Sequence, residues 1–262
     1  MSAHPTALVD PRARLGRDVV VGPYAVVERD TVVAERCELR AHAVVKRYTE
    51  LGAGVVVHEG AVLGGEPQDL AFEAAPSGLR IGDGTRIREG VTVHRASRPD
   101  GATVVGSACF LMAYAHVAHD CRLGDAVILA NNVALAGHVE VGDRAFLSGG
   151  AMVHQFCRIG RLAMVGGISK VVQDCLPFVI SDGAPARARG LNVVGLRRAG
   201  FGAAQLRVLK EAYRILLRSS LPLQAALEGL AALGDPLADE LAAFARSTRR
   251  GFAHAARGGA AE

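Results

Sequence analysis

An aliphatic residue recurs at every sixth position along most of this chain, and this period restricts the possible folds more than any other feature. The series runs unbroken from Val9 to Leu63. It resumes in the same register at Ile81, and after a second interruption it continues from Val105 to Val171. Such a period fits neither the roughly 3.6-residue repeat of an α-helix nor the roughly two-residue repeat of a strand. The chain is therefore built largely from one short unit repeated along its length.

The pattern inside each six-residue unit indicates how the unit folds. Small or β-branched residues lie four places after the aliphatic position, as at Ala25, Val55 and Ala145. Glycine often follows the aliphatic residue directly, as at Gly16 and Gly142. One large inward residue, one small inward residue and a tight corner per unit are typical of a parallel β-helix with a triangular cross-section. Three units would form one coil of 18 residues, and the spacing does not determine the handedness of that coil.

The cysteines all occupy the small inward position of their units. They are Cys37, Cys109, Cys121, Cys157 and Cys175. This placement makes them core fillers, so we expect neither disulfides nor a catalytic or metal-binding role for them. The absence of tryptophan and the presence of 31 glycines agree with a core in which a regular repeat replaces bulky side chains.

Two stretches break the register and divide the repeat region. We predict that residues 64–80 and 96–104 are loops projecting from a β-helix that spans residues 1–190. Long loops on a rigid scaffold often carry function, and the first loop contains Gln68 and Asp69. Alternatively, the first loop is a solvent-exposed segment without a function.

Beyond the repeats the apolar pattern changes to a helical period, which predicts a C-terminal helical domain over residues 191–262. Asp235 followed by Pro236 is a favourable helix start. We expect Leu237, Leu241 and Phe244 to form the buried stripe of that helix.

Charge and hydropathy exclude several classes of protein. The net charge is +4 and the basic residues are scattered, which argues against a nucleic-acid partner. No apolar run approaches the length that a bilayer span requires. The first residues lack the basic and apolar regions of a secretory signal, so we expect the protein in the cytoplasm.

Histidines gather at one edge of the predicted coil. Residues spaced by 18 lie on the same edge of successive coils, about 5 Å apart along the axis. Two adjacent columns result, namely His119, Gly137 and Gln155 in the first and Asp120, His138 and Phe156 in the second. His116 and His154 lie beside them, so four histidines and one acid share this edge.

This edge contains the groups that an acyl transfer to a hydroxyl requires. A neutral imidazole at His119 can take the proton of an attacking hydroxyl. The backbone N–H of Gly137 can stabilise the oxyanion of a tetrahedral intermediate. The chain has no Gly-x-Ser-x-Gly elbow, no phosphate loop and no Cys-x2-Cys pair, and direct attack without a covalent intermediate needs none of them.

At these residues the sequence is similar to the UDP-N-acetylglucosamine O-acyltransferases that begin lipid A synthesis. The similarity covers nearly the whole chain and includes Gln68-Asp69-Leu70, Val93-His94-Arg95, Ala115-His116-Val117-Ala118-His119-Asp120-Cys121, Leu129-Ala130-Asn131-Asn132, Leu135-Ala136-Gly137-His138, Val153-His154-Gln155-Phe156-Cys157 and Met164-Val165-Gly166-Gly167. The combination is highly specific.

The resemblance implies a left-handed β-helix that acts as a homotrimer, with each active site between neighbouring subunits. It implies that His119 deprotonates the 3-hydroxyl of UDP-N-acetylglucosamine, which attacks the thioester of an (R)-3-hydroxyacyl carrier protein. Asp120 would support His119, and Gly137 would hold the oxyanion. Neither a metal nor a cofactor is implied, because the phosphopantetheine arrives on the acyl carrier protein.

The resemblance also assigns substrate-binding positions. It implies that the sugar, its phosphates and the nucleotide contact Gln68, Asp69, His116, His138, His154, Gln155, Asn192 and Arg198. Gly167 corresponds to a position that limits acyl length, and glycine there indicates a site open to a longer chain.

Three positions depart from the family pattern. Val194 stands where a glutamate commonly contacts the nucleoside, Ala199 replaces the second of two arginines, and Ala71 stands where a lysine is frequent. We therefore expect recognition of the nucleotide and the donor to differ from the family pattern, whereas the base is retained.

Three alternatives remain open at this point. The first is the later UDP-3-O-acylglucosamine N-acyltransferase of the same pathway, which carries an additional N-terminal domain. The second is a zinc-dependent hydratase on the same coil, with histidines from adjacent subunits binding the metal. The third is a non-catalytic scaffold in which the histidines are ordinary corner residues.

Overall fold

The computed structural model describes residues 2–255 as a left-handed parallel β-helix followed by a small helical domain. The predicted fold class is thereby confirmed. Residue 1 of the predicted β-helical domain and residues 256–262 of the predicted helical domain lie outside the described residues.

The described strands form the three faces of a triangular prism, here called sheets A, B and C, and are numbered β1 to β28 in chain order. Sheet A contains β1 (Ser2–Ala3), β4 (Val20–Val21), β7 (Glu38–Leu39), β10 (Val56–Val57), β13 (Arg86–Ile87), β16 (Phe110–Leu111), β19 (Ile128–Leu129), β22 (Phe146–Leu147), β25 (Met164–Val165), β27 (Val179–Gly183) and β28 (Ala186–Leu191). Sheet B contains β2 (Leu8–Val9), β5 (Val26–Val27), β8 (Val44–Val45), β11 (Val62–Gly65), β14 (Thr92–His94), β17 (His116–Val117), β20 (Ala134–Leu135), β23 (Met152–Val153) and β26 (Lys170–Val171). Sheet C contains β3 (Arg14–Leu15), β6 (Val32–Val33), β9 (Thr49–Leu51), β12 (Gly78–Ile81), β15 (Ala102–Val105), β18 (Arg122–Leu123), β21 (Glu140–Val141) and β24 (Arg158–Ile159).

Each strand pairs in parallel with the equivalent strand of the next coil, as in His116 opposite Ala134 and Ala134 opposite Met152. From β2 onward, the second residue of each two-residue strand is the aliphatic one and points inward, and Leu111 and Leu135 are completely buried. Only the terminal pair β27 and β28 among the described strands is antiparallel.

The predicted core position of the cysteines is confirmed, because all five are buried with free thiols. Burial raises the pKa of the Cys121 and Cys175 thiols to about 12. At neutral pH these thiols are protonated, which makes them poor nucleophiles and metal ligands.

Both interruptions of the repeat project from the corner between sheets B and C. The first predicted range, 64–80, is too wide at both ends, because β11 extends through Gly65 and β12 begins at Gly78. The second, 96–104, begins one residue late and ends too far along, because β14 ends at His94 and β15 begins at Ala102. The extensions of β12 and β15 pair in register, whereas those of β11 and β14 pair after a register shift, and the six-residue pattern shows neither. The projecting loops therefore span residues 66–77 and 95–101.

The helical domain consists of α1 (Val193–Arg198), α2 (Ala203–Tyr213), a π-helical turn (Arg214–Arg218), α3 (Leu223–Ala231) and α4 (Pro236–Arg246). The predicted start of α4 is confirmed, since the Asp235 carboxylate accepts a hydrogen bond from the N–H of Leu237 at 2.8 Å. The predicted stripe is partly wrong. Leu241 is buried, but Leu237 and Phe244 are only half-buried, and the remaining buried positions are alanines. Small residues let α4 lie close against its neighbours.

One ion pair and one cation–π contact fix the helical domain to the coil. Arg161 makes a bidentate contact with Glu240 of α4, at 3.0 and 2.7 Å. Arg158 binds the buried carboxylate of Asp174 at 2.8 Å and lies over the ring of Phe244. Within residues 2–255, no helix combines the length and the apolar character that crossing a membrane would need.

Candidate active site

The turns between sheets B and C bring the predicted site residues together in three successive coils. We call residues 119–120, 137–138 and 155–156 the histidine corner. The second residue of each turn has a left-handed backbone, with φ values of 59° at Asp120, 60° at His138 and 64° at Phe156. Loop 95–101 leaves the same corner one coil earlier, and loop 66–77 leaves it two coils earlier.

His119 and Asp120 form a hydrogen-bonded pair at the centre of this corner. Nδ1 of His119 lies 2.7 Å from Oδ2 of Asp120. An ionised carboxylate can only accept hydrogen bonds, so Nδ1 of His119 is the donor and its Nε2 carries the free lone pair. The imidazole is thus held in the tautomer that a general base requires.

Neighbouring loops hold the Asp120 carboxylate in place. The backbone N–H of Ser97 donates to both of its oxygens, at 3.3 and 3.2 Å. The N–H of Asp120 itself donates to Oγ1 of Thr103 at 2.8 Å. Burial alone would raise the pKa of the Asp120 carboxyl, but the hydrogen bonds from His119 and Ser97 lower it below its usual value. Asp120 is therefore ionised when the site operates near neutral pH.

Gly137 lies directly against the His119 ring. A Cβ atom at Gly137 would lie 2.7 Å from Cε1 and 2.8 Å from Nε2 of His119. Its backbone N–H makes no hydrogen bond within residues 2–255, and the same holds for the N–H groups of His119 and Gln155. Because residue 137 is a glycine, its amide N–H is a free donor and the imidazole of His119 beside it is unobstructed.

His138 lies in the histidine corner on the coil that follows His119. Its ring stands edge-on to His119 with ring centres 5.3 Å apart and stacks on Phe156 at 4.6 Å. Its Nε2 lies 3.8 Å from Oδ2 of Asp120. His119, Asp120 and His138 could together offer three ligand atoms to a metal ion. A metal there would compete with the hydrogen bonds that Asp120 already accepts.

Two further histidines lie on the sheet B side of the corner. His116 contacts Oγ1 of Thr92 at 2.7 Å, and His94 packs edge-on against His116 at 4.8 Å. Burial lowers the pKa of His116. Burial, together with the charges of His116 and His119, lowers the pKa of His94 to about 4. Both rings are therefore neutral near pH 7.

Sequence reasoning missed His94, Thr92, Ser97 and Thr103 as members of the site. The second loop lengthens its coil by six residues, so Thr92 pairs with His116 across 24 positions in place of 18. Counting in steps of 18 therefore passes over these residues. The aliphatic register through Val93 and Val117 is the signal that could have aligned them.

The remaining residues expected at this corner are exposed there. His154 and Gln155 lie on the third coil, where Nδ1 of His154 contacts the Gln155 carbonyl at 3.1 Å. Gln68 and Asp69 lie on loop 66–77, and Asp69 accepts a hydrogen bond from the N–H of Ala71 at 2.9 Å. Their polar groups are available to a ligand or to a neighbouring subunit.

Asn192 and Arg198 lie at a different corner from the histidines of the same chain, so a nucleotide site shared with those histidines would need a neighbouring subunit. The Asn192 side chain donates to the carbonyl of Leu162 at 3.0 Å, at the corner between sheets C and A, and it caps α1 by accepting from the N–H of Gly195 at 3.0 Å. Asn192 is 7% exposed and its amide makes these two hydrogen bonds within the chain, while its contact with the nucleotide stays a prediction. Arg198 ends the same helix and is exposed.

Gly167 lies at the corner between sheets A and B and faces open space. A Cβ atom there would contact only the carbonyl of Gly149 at 3.4 Å and Cβ of Ser148 at 4.0 Å. A longer side chain would therefore project outward from the prism without displacing the coil.

Comparison with known proteins identifies relatives of this chain. The model of the UDP-N-acetylglucosamine O-acyltransferase domain 2 family matches residues 174–253, and that of the bacterial transferase hexapeptide, six repeats, matches residues 102–137. The acyl-[acyl-carrier-protein]–UDP-N-acetylglucosamine O-acyltransferase of Alkalilimnicola ehrlichii is 54% identical over 251 residues, which cover 95% of this chain and 97% of that protein.

Two further comparisons extend this similarity. The enzyme of the same name from Gloeothece citriformis is 50% identical, and the match spans 65% of this chain and 62% of the length of that relative. The crystal structure of the UDP-N-acetylglucosamine O-acyltransferase from Moraxella catarrhalis superposes with a TM-score of 0.94 at 37% identity, covering 97% of this chain and all of the other. Sequence and fold therefore agree over nearly the full length.

Proposed function

Because this chain belongs to the family of UDP-N-acetylglucosamine O-acyltransferases, we propose that it transfers an (R)-3-hydroxyacyl chain from acyl carrier protein to the 3-hydroxyl of UDP-N-acetylglucosamine. This reaction is the first step of lipid A biosynthesis. The observation that carries the proposal is the His119–Asp120 pair with a free amide at Gly137.

The geometry supports a direct attack on the thioester. Nε2 of His119 takes the proton of the sugar 3-hydroxyl as its oxygen attacks the thioester carbonyl carbon. Asp120 stabilises the imidazolium that forms, and the N–H of Gly137 donates to the developing oxyanion. When the intermediate collapses, the carbon–sulfur bond breaks and the protonated His119 returns its proton to the leaving thiolate.

The acceptor is expected to lie on the sheet B side of the histidine corner. His116 and His138 flank His119 and contact the sugar or its phosphates, while the exposed His154 and Gln155 reach the nucleotide. Imidazole rings suit such contacts, because their nitrogens can donate or accept hydrogen bonds with hydroxyl and phosphate oxygens.

A homotrimer accounts for the residues that lie away from this corner. Arg198, at a different corner, would complete the nucleotide site of a neighbouring subunit. Loop 66–77 would likewise bring Gln68 and Asp69 to the nucleotide site of a neighbouring subunit. Exposed Tyr114, Met152 and Ile168 give sheet B and its corner with sheet A an apolar strip that a second subunit could cover. The donated acyl chain would run along such an interface past Gly167, whose missing side chain leaves room for a long chain.

No metal or organic cofactor of the enzyme enters this reaction, since the phosphopantetheine belongs to the carrier protein. We place the reaction in the cytoplasm, where the five unpaired thiols would remain reduced. The scattered basic residues give no reason to add a nucleic-acid partner.

The test is acyl transfer from a set of 3-hydroxyacyl carrier proteins of different chain lengths to UDP-N-acetylglucosamine. We expect His119→Ala to lower kcat at least about 10²- to 10⁴-fold, because it removes the general base. His42→Ala is the control, since His42 is an exposed histidine at a corner of the prism that lies outside the site.

The acceptor is tested in the same assay. Transfer that survives in His119→Ala at the wild-type rate would refute the proposed base. Transfer only to the corresponding 3-amino sugar would replace the proposed acceptor and would direct attention to Val194 and Ala199. Absence of transfer with every donor and both acceptors would refute the proposed function.

A further inference from the structure

A groove leaves the histidine corner on its sheet C side, away from the side on which His116 lies. Its volume is about 660 Å³. It begins at His138 and Phe156, beside the catalytic pair, and ends at Arg249 and Arg250, in the segment that follows α4. The groove thus connects the reacting centre with two arginines that are far from it in sequence.

The two terminal arginines supply the uncompensated charge of this groove. The third arginine in its wall, Arg158, is neutralised by the buried carboxylate of Asp174 at 2.8 Å. Within residues 2–255, no carboxylate oxygen lies within the 4.0 Å ion-pair distance of Arg249 or Arg250. Glu140 also lines the groove but does not offset both charges, so the groove is net positive. An anionic group is the ligand that this charge favours.

The segment that carries these arginines is fixed before any ligand arrives. The N–H of Asp174 donates to the carbonyl of Gly251 at 2.9 Å, and the N–H of Ala253 donates to the carbonyl of Asp174 at 2.8 Å. Oγ1 of Thr248 donates to the Asp174 carboxylate at 2.8 Å, and Phe252 is buried. A pre-organised pair of arginines binds an anion at a lower entropic cost than a free tail would.

We infer that Arg249 and Arg250 bind a phosphate group of a substrate, and that this group is the phosphodiester at the end of the donor's phosphopantetheine arm. This inference rests on the proposed function. The thioester carbonyl must reach His119 and Gly137, and the acceptor is assigned to the sheet B side, so the linear arm leaves along the sheet C groove. Guanidinium groups bind phosphate oxygens in a planar, two-pronged geometry that suits this end of the arm.

The nucleotide sugar also contains phosphates, so the experiment must separate the two sources. Initial rates are measured with a 3-hydroxyacyl thioester of 4′-phosphopantetheine and with the same thioester of pantetheine, which lacks the phosphate. In Arg249→Ala/Arg250→Ala we expect the KM of the phosphorylated donor to rise about 10- to 100-fold, the effect of losing hydrogen bonds to a charged group. The KM values of the unphosphorylated donor and of UDP-N-acetylglucosamine should not change.

The control is Arg246→Ala, which removes one positive charge from the last turn of α4 at an exposed position that does not line the groove. Arg249→Lys/Arg250→Lys retains the charge and should recover part of the loss, which excludes misfolding as its cause. A rise only in the KM of UDP-N-acetylglucosamine would overturn the assignment to the donor and move the phosphate site to the nucleotide. Unchanged KM values for all three substrates would overturn the phosphate site itself.

Binding of 4′-phosphopantetheine, measured by calorimetry on the intact protein, gives a readout that does not depend on turnover. The double alanine variant should bind it about 10- to 100-fold more weakly than wild type does. Arginine-dependent binding without any acyl transfer would leave the groove assignment standing and refute the proposed function. Acyl transfer together with binding that does not depend on either arginine would refute the groove assignment and leave the proposed function standing.

Discussion

The α-carbon of Gly137 faces the imidazole of His119 so closely that a Cβ atom would lie 2.7 Å from its Cε1. The two residues belong to successive coils, so stacking of the prism brings the base and the amide donor together. The imidazole can keep this position only if residue 137 has no side chain.

Gly137→Ala should therefore lower kcat about 10²-fold, because the new methyl group would push the His119 ring out of its catalytic position. Gly149→Ala is the matched control. Gly149 is likewise the first residue of a corner turn, and a Cβ there would meet only the Asn131 carbonyl at 3.4 Å. Steady-state kinetics on both variants would contradict the assignment if they lost activity equally.

Asp120→Asn should reduce kcat roughly 10²- to 10⁴-fold while leaving the fold intact. The carboxylate accepts from both Ser97 and His119. An amide offers only one accepting atom, so its NH2 group must face one of these donors. Rates and circular dichroism are compared with those of wild type, and full activity would show that the tautomer of His119 does not depend on Asp120.

His94→Phe should make stability less sensitive to acid. His94 has a pKa lowered to about 4 in the folded protein, against about 6.5 in an unfolded chain. The folded state therefore binds fewer protons, and wild type loses stability as the pH falls from about 6.5 to about 4, by at most roughly 3 kcal/mol from this group.

Phenylalanine keeps a ring against His116 and removes the titration. Urea midpoints measured between pH 7 and pH 4.5, about the range in which this histidine is linked to folding, should fall less in His94→Phe than in wild type. Parallel declines in the two proteins would show that His94 does not contribute this acid sensitivity.

Asp174→Ala should destabilise the protein by about 3 kcal/mol, because it leaves the partly buried Arg158 without its carboxylate. Asp174 also binds Thr248, so the C-terminal segment should detach and become sensitive to protease. Glu50→Gln, which breaks an exposed pair with Arg80, should cost less than about 1 kcal/mol. Thermal unfolding distinguishes the two, and similar midpoints would contradict the expected role of Asp174.

Gly167→Met should shift the donor preference toward shorter acyl chains. The new side chain would project into open space beside the prism. Each excluded methylene loses about 0.8 kcal/mol of burial, or roughly fourfold in kcat/KM. Rates with a series of donors measure this, with the KM for UDP-N-acetylglucosamine as the control. An unaltered chain-length profile would remove Gly167 from the acyl path.

Much of this molecule follows from its sequence, because the repeat makes spatial neighbours from residues at a fixed separation. Once the period of six is recognised, Leu111 and Leu135 must point inward and the cysteines must fill the core. The same count places His119, Gly137 and Gln155 on one corner, since each step of 18 advances the chain by one strand spacing. The fold class and the centre of the candidate site were thus predictable.

Only the tertiary structure decided what interrupts or follows the repeat. The longer coil hid His94 and its contact with His116. The hydrogen bond from Asn192 to the carbonyl of Leu162, 30 residues earlier, is likewise a contact that no local pattern shows. The return of the C-terminal segment to Asp174, which places Arg249 beside the histidine corner, likewise depends on contacts across many residues. Periodic packing is determined by local spacing, whereas loop insertions and long-range docking depend on side-chain contacts that exist only after the chain has folded.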